Sequence, residues 1–254
     1  MTRLSPRQSL LTSLMLWLSL GCATTDGGGG DTMSPKEKSD FHYKLANGYF
    51  YEHQIPPALA ELTQSLEIDP GNPDAHHLMG FIFFGRKDFV SAETHFQKAL
   101  QIRPGFHQAR ANLGALMLEQ RRWQDAIEKL EPLVGATLYQ TPWVPYNNIG
   151  IALENLGRRR ESLESYRMAV FHNPVFCLGL NNLGRMQHVV GQSEQAVDTL
   201  RRATEKCKGY AEPHFTLGEL FESRGDHGDA RREFEACWKA APESPLGGRC
   251  RRRL

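Results

Sequence analysis

The chain has 254 residues, and its 30 Lys and Arg nearly cancel its 29 Asp and Glu, leaving a formal net charge of +1. That balance excludes the positive field on which nucleic-acid binding depends. The hydrophobic content, 40%, is modest and suits an array whose units bury surface only against their neighbours.

The amino terminus, 1–21, reads as a targeting segment. Arg3 and Arg7 precede an apolar run from Leu10 to Leu20 that closes on Gly21 and Cys22, the layout of a bacterial secretory signal. The run is too short to span a bilayer comfortably. Leu18, Ser19, Leu20, Gly21 and Cys22 resemble the lipoprotein cleavage box, with Ser19 where leucine is usual. That resemblance implies lipidation of Cys22. It also implies the outer membrane, facing the periplasm, because Ala23 is not the aspartate that retains some lipoproteins at the inner membrane. The competing reading is an ordinary secretory signal with an incidental cysteine. Residues 22–38, with Gly27 to Gly30, read as a lipidated cysteine and a flexible tether.

From 39 to 244 a small residue recurs as Ala46, Gly80, Gly114, Gly150, Gly184 and Gly218, with gaps of 34, 34, 36, 34 and 34. A second small residue follows twelve positions later: Ala58, Ala92, Ala126, Ser162, Ala196 and Ala230. Four further on stands a large one: Leu62, Phe96, Leu130, Tyr166, Leu200 and Phe234. Small residues let two antiparallel helices approach, and the large one fills the hole between them. Pro70, Pro104, Pro174 and Pro242 stop the second helix in four units, and Lys208 replaces proline in the fifth. Gly157, Gly191 and Gly225 fall at the turn within a unit, where a positive φ is cheap for glycine. The pattern resembles the tetratricopeptide repeat, a helix–turn–helix unit. It implies an all-α fold, a right-handed superhelical solenoid of six units over 39–72, 73–106, 107–142, 143–176, 177–210 and 211–244. Between units three and four, Gly135 to Pro145 reads as a longer loop.

With Cys22 lipidated, Cys177, Cys207, Cys237 and Cys250 remain, an even number in an oxidising compartment. Antiparallel helices bring the two ends of unit five together, so Cys177–Cys207 and Cys237–Cys250 are the preferred pairs among three connectivities. Buried free thiols are the alternative. The last segment, 245–254, reads as a solvated basic tail with Arg249, Arg251, Arg252 and Arg253.

No zinc-protease motif, phosphate-binding loop or nucleophile elbow is present. His76 and His77 are adjacent and point roughly 100 degrees apart on a helix. The expectation is therefore a non-enzyme with no metal, no cofactor and no small-molecule substrate. In the repeat that this chain resembles, first helices line a concave groove. Units one to three then present Tyr43, Asn47, Phe50, His77, Phe81, Phe84, Ala111, Ala115 and Leu118, an apolar and aromatic trough. The competing reading places these aromatics in the core. Unit six presents Glu212, Phe215, Glu219 and Glu222 and reads as acidic.

A lipid anchor, a glycine tether, six such units and no second domain resemble the type IV pilus pilotin lipoproteins of the PilF, PilW and Tgl group. That resemblance implies binding of the pilus secretin subunit, promotion of its assembly into a multimer, and a need for the protein in pilus-dependent motility. The apolar groove would be the docking site and the lipid on Cys22 the membrane anchor. A general periplasmic scaffold for another envelope complex stays open as the alternative, as does an enzyme whose site the sequence does not display.

Overall fold

Ser34 starts the first helix. Its hydroxyl accepts from the Glu37 amide while the Glu37 carboxylate accepts from the Ser34 amide, and Pro35 takes the first helical position. Helix α1 therefore begins at Pro35, inside the segment assigned above to the tether over 22–38. The reciprocal cap Ser34-Pro35-Lys36-Glu37 is the local reason. The computed structural model describes residues 33–136 and 139–254. The signal segment, Cys22 and the glycine run lie outside the described residues.

Twelve helices form six antiparallel hairpins: α1 (Pro35–Tyr51) with α2 (Ile55–Ile68), α3 (Pro73–Gly85) with α4 (Phe89–Ile102), α5 (His107–Glu119) with α6 (Trp123–Val134), α7 (Trp143–Asn155) with α8 (Arg159–His172), α9 (Cys177–Val189) with α10 (Ser193–Lys206), and α11 (Glu212–Ser223) with α12 (His227–Ala240). A thirteenth helix, α13 (Pro245–Arg251), follows them. The described residues hold no strand, and none of their helices is long and apolar enough to cross a membrane.

The small-against-large rule sets the spacing within each hairpin. A Cβ added at Gly80 would lie 2.8 Å from Phe96, at Gly114 2.5 Å from Leu130, at Gly150 2.6 Å from Tyr166, at Gly184 2.5 Å from Leu200 and at Gly218 2.6 Å from Phe234. These five large residues and Leu62 are essentially inaccessible to solvent. The core is thus a chain of small clusters, each shared between consecutive units, as expected where no single interior exists.

The turn within each unit requires a left-handed residue. Gly157, Gly191 and Gly225 supply it in the last three units with φ of 75°, 84° and 83°. In the first three units His53, Lys87 and Arg121 hold the same place with φ of 59°, 61° and 59°, and each Cβ there carries strain that glycine avoids. Lys87→Gly is therefore expected to stabilise the fold by about 1 kcal/mol, and Gly191→Ala to destabilise it by a similar amount. Urea unfolding midpoints of the two variants measure this asymmetry.

The connection between units three and four is shorter than the loop read from the sequence. Helix α7 already starts at Trp143, and Pro145 sits buried in its first turn, where a missing amide proton costs nothing. In unit five, α10 ends at Lys206 without a following proline. Its cap residue Cys207 is bonded to Cys177, the first residue of α9, with Cα atoms 5.8 Å apart. Cys237 and Cys250 form the second disulfide, with a Cα separation of 6.0 Å.

The carboxy-terminal segment, which reads as a solvated tail, is folded. Ser244 caps α13 by accepting from the Gly247 amide at 3.0 Å, and Cys250 is fully buried. Gly247 packs so closely on the Ala241 carbonyl that a side chain would overlap it. The reason lies in the period: stepping back from Gly247 by 34, 34, 34, 36 and 34 residues gives Pro213, Gly179, Pro145, Ala109 and Ala75, and all of them are buried. Helix α13 continues the same register as the opening of a seventh first helix.

Candidate partner-binding groove

Helical periodicity puts Tyr43, Asn47 and Phe50 on one face of α1, and Asp74, His77 and Phe81 on one face of α3. With Phe106, which precedes α5, and Ala111 of α5 they enclose an open cavity of about 680 Å³. Phe50 and Phe81 meet edge to face, 5.7 Å between centroids, and form its wall. Phe81 is 40% exposed, an aromatic ring left in water by its own fold. The one carboxylate on the lining, Asp74, is held by both arms of Arg103 at 3.0 and 2.6 Å. Arg103 in turn lies over the Phe106 ring at 4.7 Å. The cavity therefore presents apolar surface and a neutralised rim. A second cavity of about 520 Å³ adjoins it across Phe81, with Phe84 and Phe89 on its far side.

The other expected groove residues divide. Ala111 lines the larger cavity. Phe84 lines only the second one, and its remaining surface packs on the core around Phe96 and Leu113. Leu118 packs between two core clusters and reaches neither cavity, so for it the core reading is the correct one. Ala115 is half-buried and also lies off the lining of both. Sequence reasoning misses Tyr51, Leu78, Phe106, Asn112 and Tyr139, which complete the larger cavity. Tyr139 comes from the connection between units three and four, and the two-residue insertion there is its one sign in the sequence. Asn112 sits one position round the helix from Ala111, against the preceding unit.

His77 is a wall residue more than a free ligand. It packs on Phe106 at 4.7 Å, and its Nε2 accepts from Asn112 Nδ2 at 2.9 Å. Burial lowers its pKa to about 4, opposed by the Asp74 carboxylate and assisted by the Arg103 guanidinium. His95 is brought to about 4 by burial and by His76, whose Nδ1 lies 3.0 Å from its own. Unfolded, both rings titrate near an ordinary value of about 6.5. Between roughly pH 6.5 and 4 the unfolded chain thus binds more protons than the folded one, and stability falls as pH falls through that window. The urea midpoint is expected to drop between pH 7 and pH 4.5, and to drop less in His95→Gln.

Along the floor of the groove runs a side-chain ladder joining successive first helices. Asn112 donates to His77, Asn182 Nδ2 donates to Asn147 Oδ1 at 2.9 Å, and the Thr216 hydroxyl donates to Asn181 Oδ1 at 3.0 Å. Each rung spans 35 residues. In units four and five the groove positions Glu154 and Arg185 form a two-armed ion pair, and the Tyr166 hydroxyl donates to Glu154 at 3.0 Å. Burial raises the Glu154 pKa, but Arg185 and Tyr166 outweigh it and leave the carboxyl below its ordinary range. These positions are spent on one another.

Unit six departs from the acidic surface expected. Arg253 lies 2.7 Å from Glu222 and 4.0 Å from Glu219, and Arg249 covers the Phe215 ring at 4.3 Å. Two of the three carboxylates of α11 are thus answered by Arg253, just past α13 in the segment expected in solvent. Of the concave face, the part over units one to three is open and apolar.

The fold can be set beside known proteins. PilW, described as a widely conserved type IV pilus biogenesis factor, superposes with a TM-score of 0.74 over 83% of this chain and 97% of its own, at 19% identity. PilF of Pseudomonas aeruginosa does so with a TM-score of 0.74 over 87% and 100%, at 18% identity. The fold is a tetratricopeptide-repeat solenoid. A tetratricopeptide-repeat family model matches residues 83–137 of it. By sequence, the solenoid is similar to the type IV pilus assembly protein PilF of Pseudomonas aeruginosa, 25% identical over 134 residues. That match takes in 53% of this chain and spans about half the relative's length, 53%. Such solenoids are typically protein-interaction modules, and in this one the cavity around Phe81 is open and largely apolar.

Proposed function

We propose that this protein is a pilotin: an outer-membrane lipoprotein, anchored through Cys22, that binds the secretin subunit of a type IV pilus machine and promotes its assembly into a multimer. The observation that carries the reading is the cavity of about 680 Å³ over units one to three, walled by Phe50 and Phe81 and without an unanswered charge. Such a trough suits the apolar face of a partner helix, whose side chains at successive turns would enter it. The likeness of the solenoid to PilW and PilF directs the choice of partner toward pilus biogenesis.

The test is the state of the secretin in cells lacking the gene. The heat-stable multimer is expected to be lost, restored by the wild-type gene, and not restored by Phe81→Glu, which sets a charge in the apolar wall while leaving the helix hairpin intact. Phe81 is exposed enough for that change to spare the fold. A multimer that forms normally without the gene removes the pilotin reading and leaves a periplasmic scaffold for another envelope complex.

A further inference from the structure

The concave face does not stop at unit six. Counting back 34 residues, Arg249 and Arg253 of the α13 segment hold the places of Phe215 and Glu219 on α11, and the same register gives His77 and Phe81 on α3. Two groove positions of a seventh row are thus guanidinium groups. Together with Arg252 they surround a cavity of about 230 Å³ floored by Phe215 and edged by Glu219. Arg253 is taken up by Glu222 and Glu219. Arg249 is fixed over the Phe215 ring at 4.3 Å, and among the described residues neither it nor Arg252 has a carboxylate within ion-pair distance. Residues 245–254 carry four arginines and no acid. A mobile basic tail would spread that charge in solvent. Here the Cys237–Cys250 disulfide and the Ser244 cap hold it in one arrangement.

We infer that this cationic pocket at the carboxy-terminal end of the groove binds a carboxylate side chain of an acidic peptide segment. Guanidinium groups without a carboxylate of their own match one in charge and in planar hydrogen-bonding geometry. Aromatic stacking fixes Arg249 beforehand, so less side-chain freedom is lost on binding. The pocket, about 230 Å³, has room for one side chain, and it falls at the groove positions that Phe215 and Glu219 hold on α11, along which a partner chain would run. The site lies at the opposite end of the solenoid from the Phe81 cavity, so it does not rest on the secretin reading.

The test uses the purified chain without its signal segment and a fluorescently labelled eight-residue peptide of alternating Glu and Ser, with a Gln-for-Glu peptide as its neutral counterpart. Fluorescence polarisation is expected to show binding of the Glu peptide and not of the Gln peptide. Arg249→Gln combined with Arg252→Gln is expected to weaken it at least tenfold, and Arg252→Gln alone to weaken it measurably. Arg251→Gln removes the same charge from the neighbouring side chain over Trp238 and is expected to bind as wild type does. Thermal melting of each variant separates loss of the site from loss of the cap. Equal binding of the two peptides, or unchanged binding by the double variant, overturns the inference. So does sedimentation with phosphatidylglycerol vesicles that the double variant loses while the Glu peptide fails to bind, which assigns the arginines to a membrane surface.

Discussion

Gly184→Val is expected to destabilise the protein by about 3 kcal/mol or more, the upper range for forcing methyl groups into a filled interior. An added Cβ would stand 2.5 Å from Leu200 Cγ and 2.8 Å from its Cδ2, and Leu200 is fully buried. Relief has to come from separating α9 and α10, which also carry the Cys177–Cys207 bond. Leu200→Ala alone is expected to cost about 2–5 kcal/mol through the cavity it leaves. The double variant should cost well under the sum, because each change supplies what the other lacks. Gly85→Ala is the control. It lies at the end of α3, where a Cβ would meet nothing within 4 Å, and alanine there should gain a few tenths to about 1 kcal/mol from helix propensity. Urea unfolding of the four variants measures the whole set.

Removing the Cys177–Cys207 bond, as Cys177→Ser with Cys207→Ser, is expected to cost about 3–4 kcal/mol. The separation of 30 residues sets the unfolded-state entropy that the bond removes. The bond also stands where four of the other five units end on proline, so it ties the end of α10 to the start of α9 where a stop signal is missing. Reductant should lower the melting temperature of the wild type and shift the double variant less, the rest coming from Cys237–Cys250. That second pair, 13 residues apart, should be worth about 3 kcal/mol, and its loss should free α13 first.

The architecture is legible because its determinants are local and repeated. The sequence spacing from Gly80 to Phe96 recurs from Gly218 to Phe234, and each pair describes one contact between two helices. What is not legible depends on who stands across the groove. Phe81 has the same chemistry as Phe84 and stands on the same helix, yet only the position of the neighbouring unit decides that Phe84 leans on core and Phe81 faces water. Register alone puts Leu118 in the groove, and its packing on both flanking clusters is a property of three units together. The folded tail escapes for another reason. Its four arginines and two glycines look like a solvated run, and the sign of order is the 34-residue step from Pro213 to Gly247, which a search keyed to the glycine at Gly218 meets only as Arg252.

The ladder on the groove floor bears on how such an array can be rearranged. Repeat units are commonly treated as interchangeable bricks, but the rungs from Asn147 to Asn182 and from Asn181 to Thr216 are keyed, each to a different neighbour. Moving unit five next to unit two would let Asn182 take the place of Asn112 opposite His77, but would leave Asn147 and Thr216 without their partners. Unit three, with Ala111 in place of a rung, carries no such key toward unit four. Duplication or exchange of whole units would therefore be tolerated at that seam and resisted beyond it, where the rungs tie units four to six together.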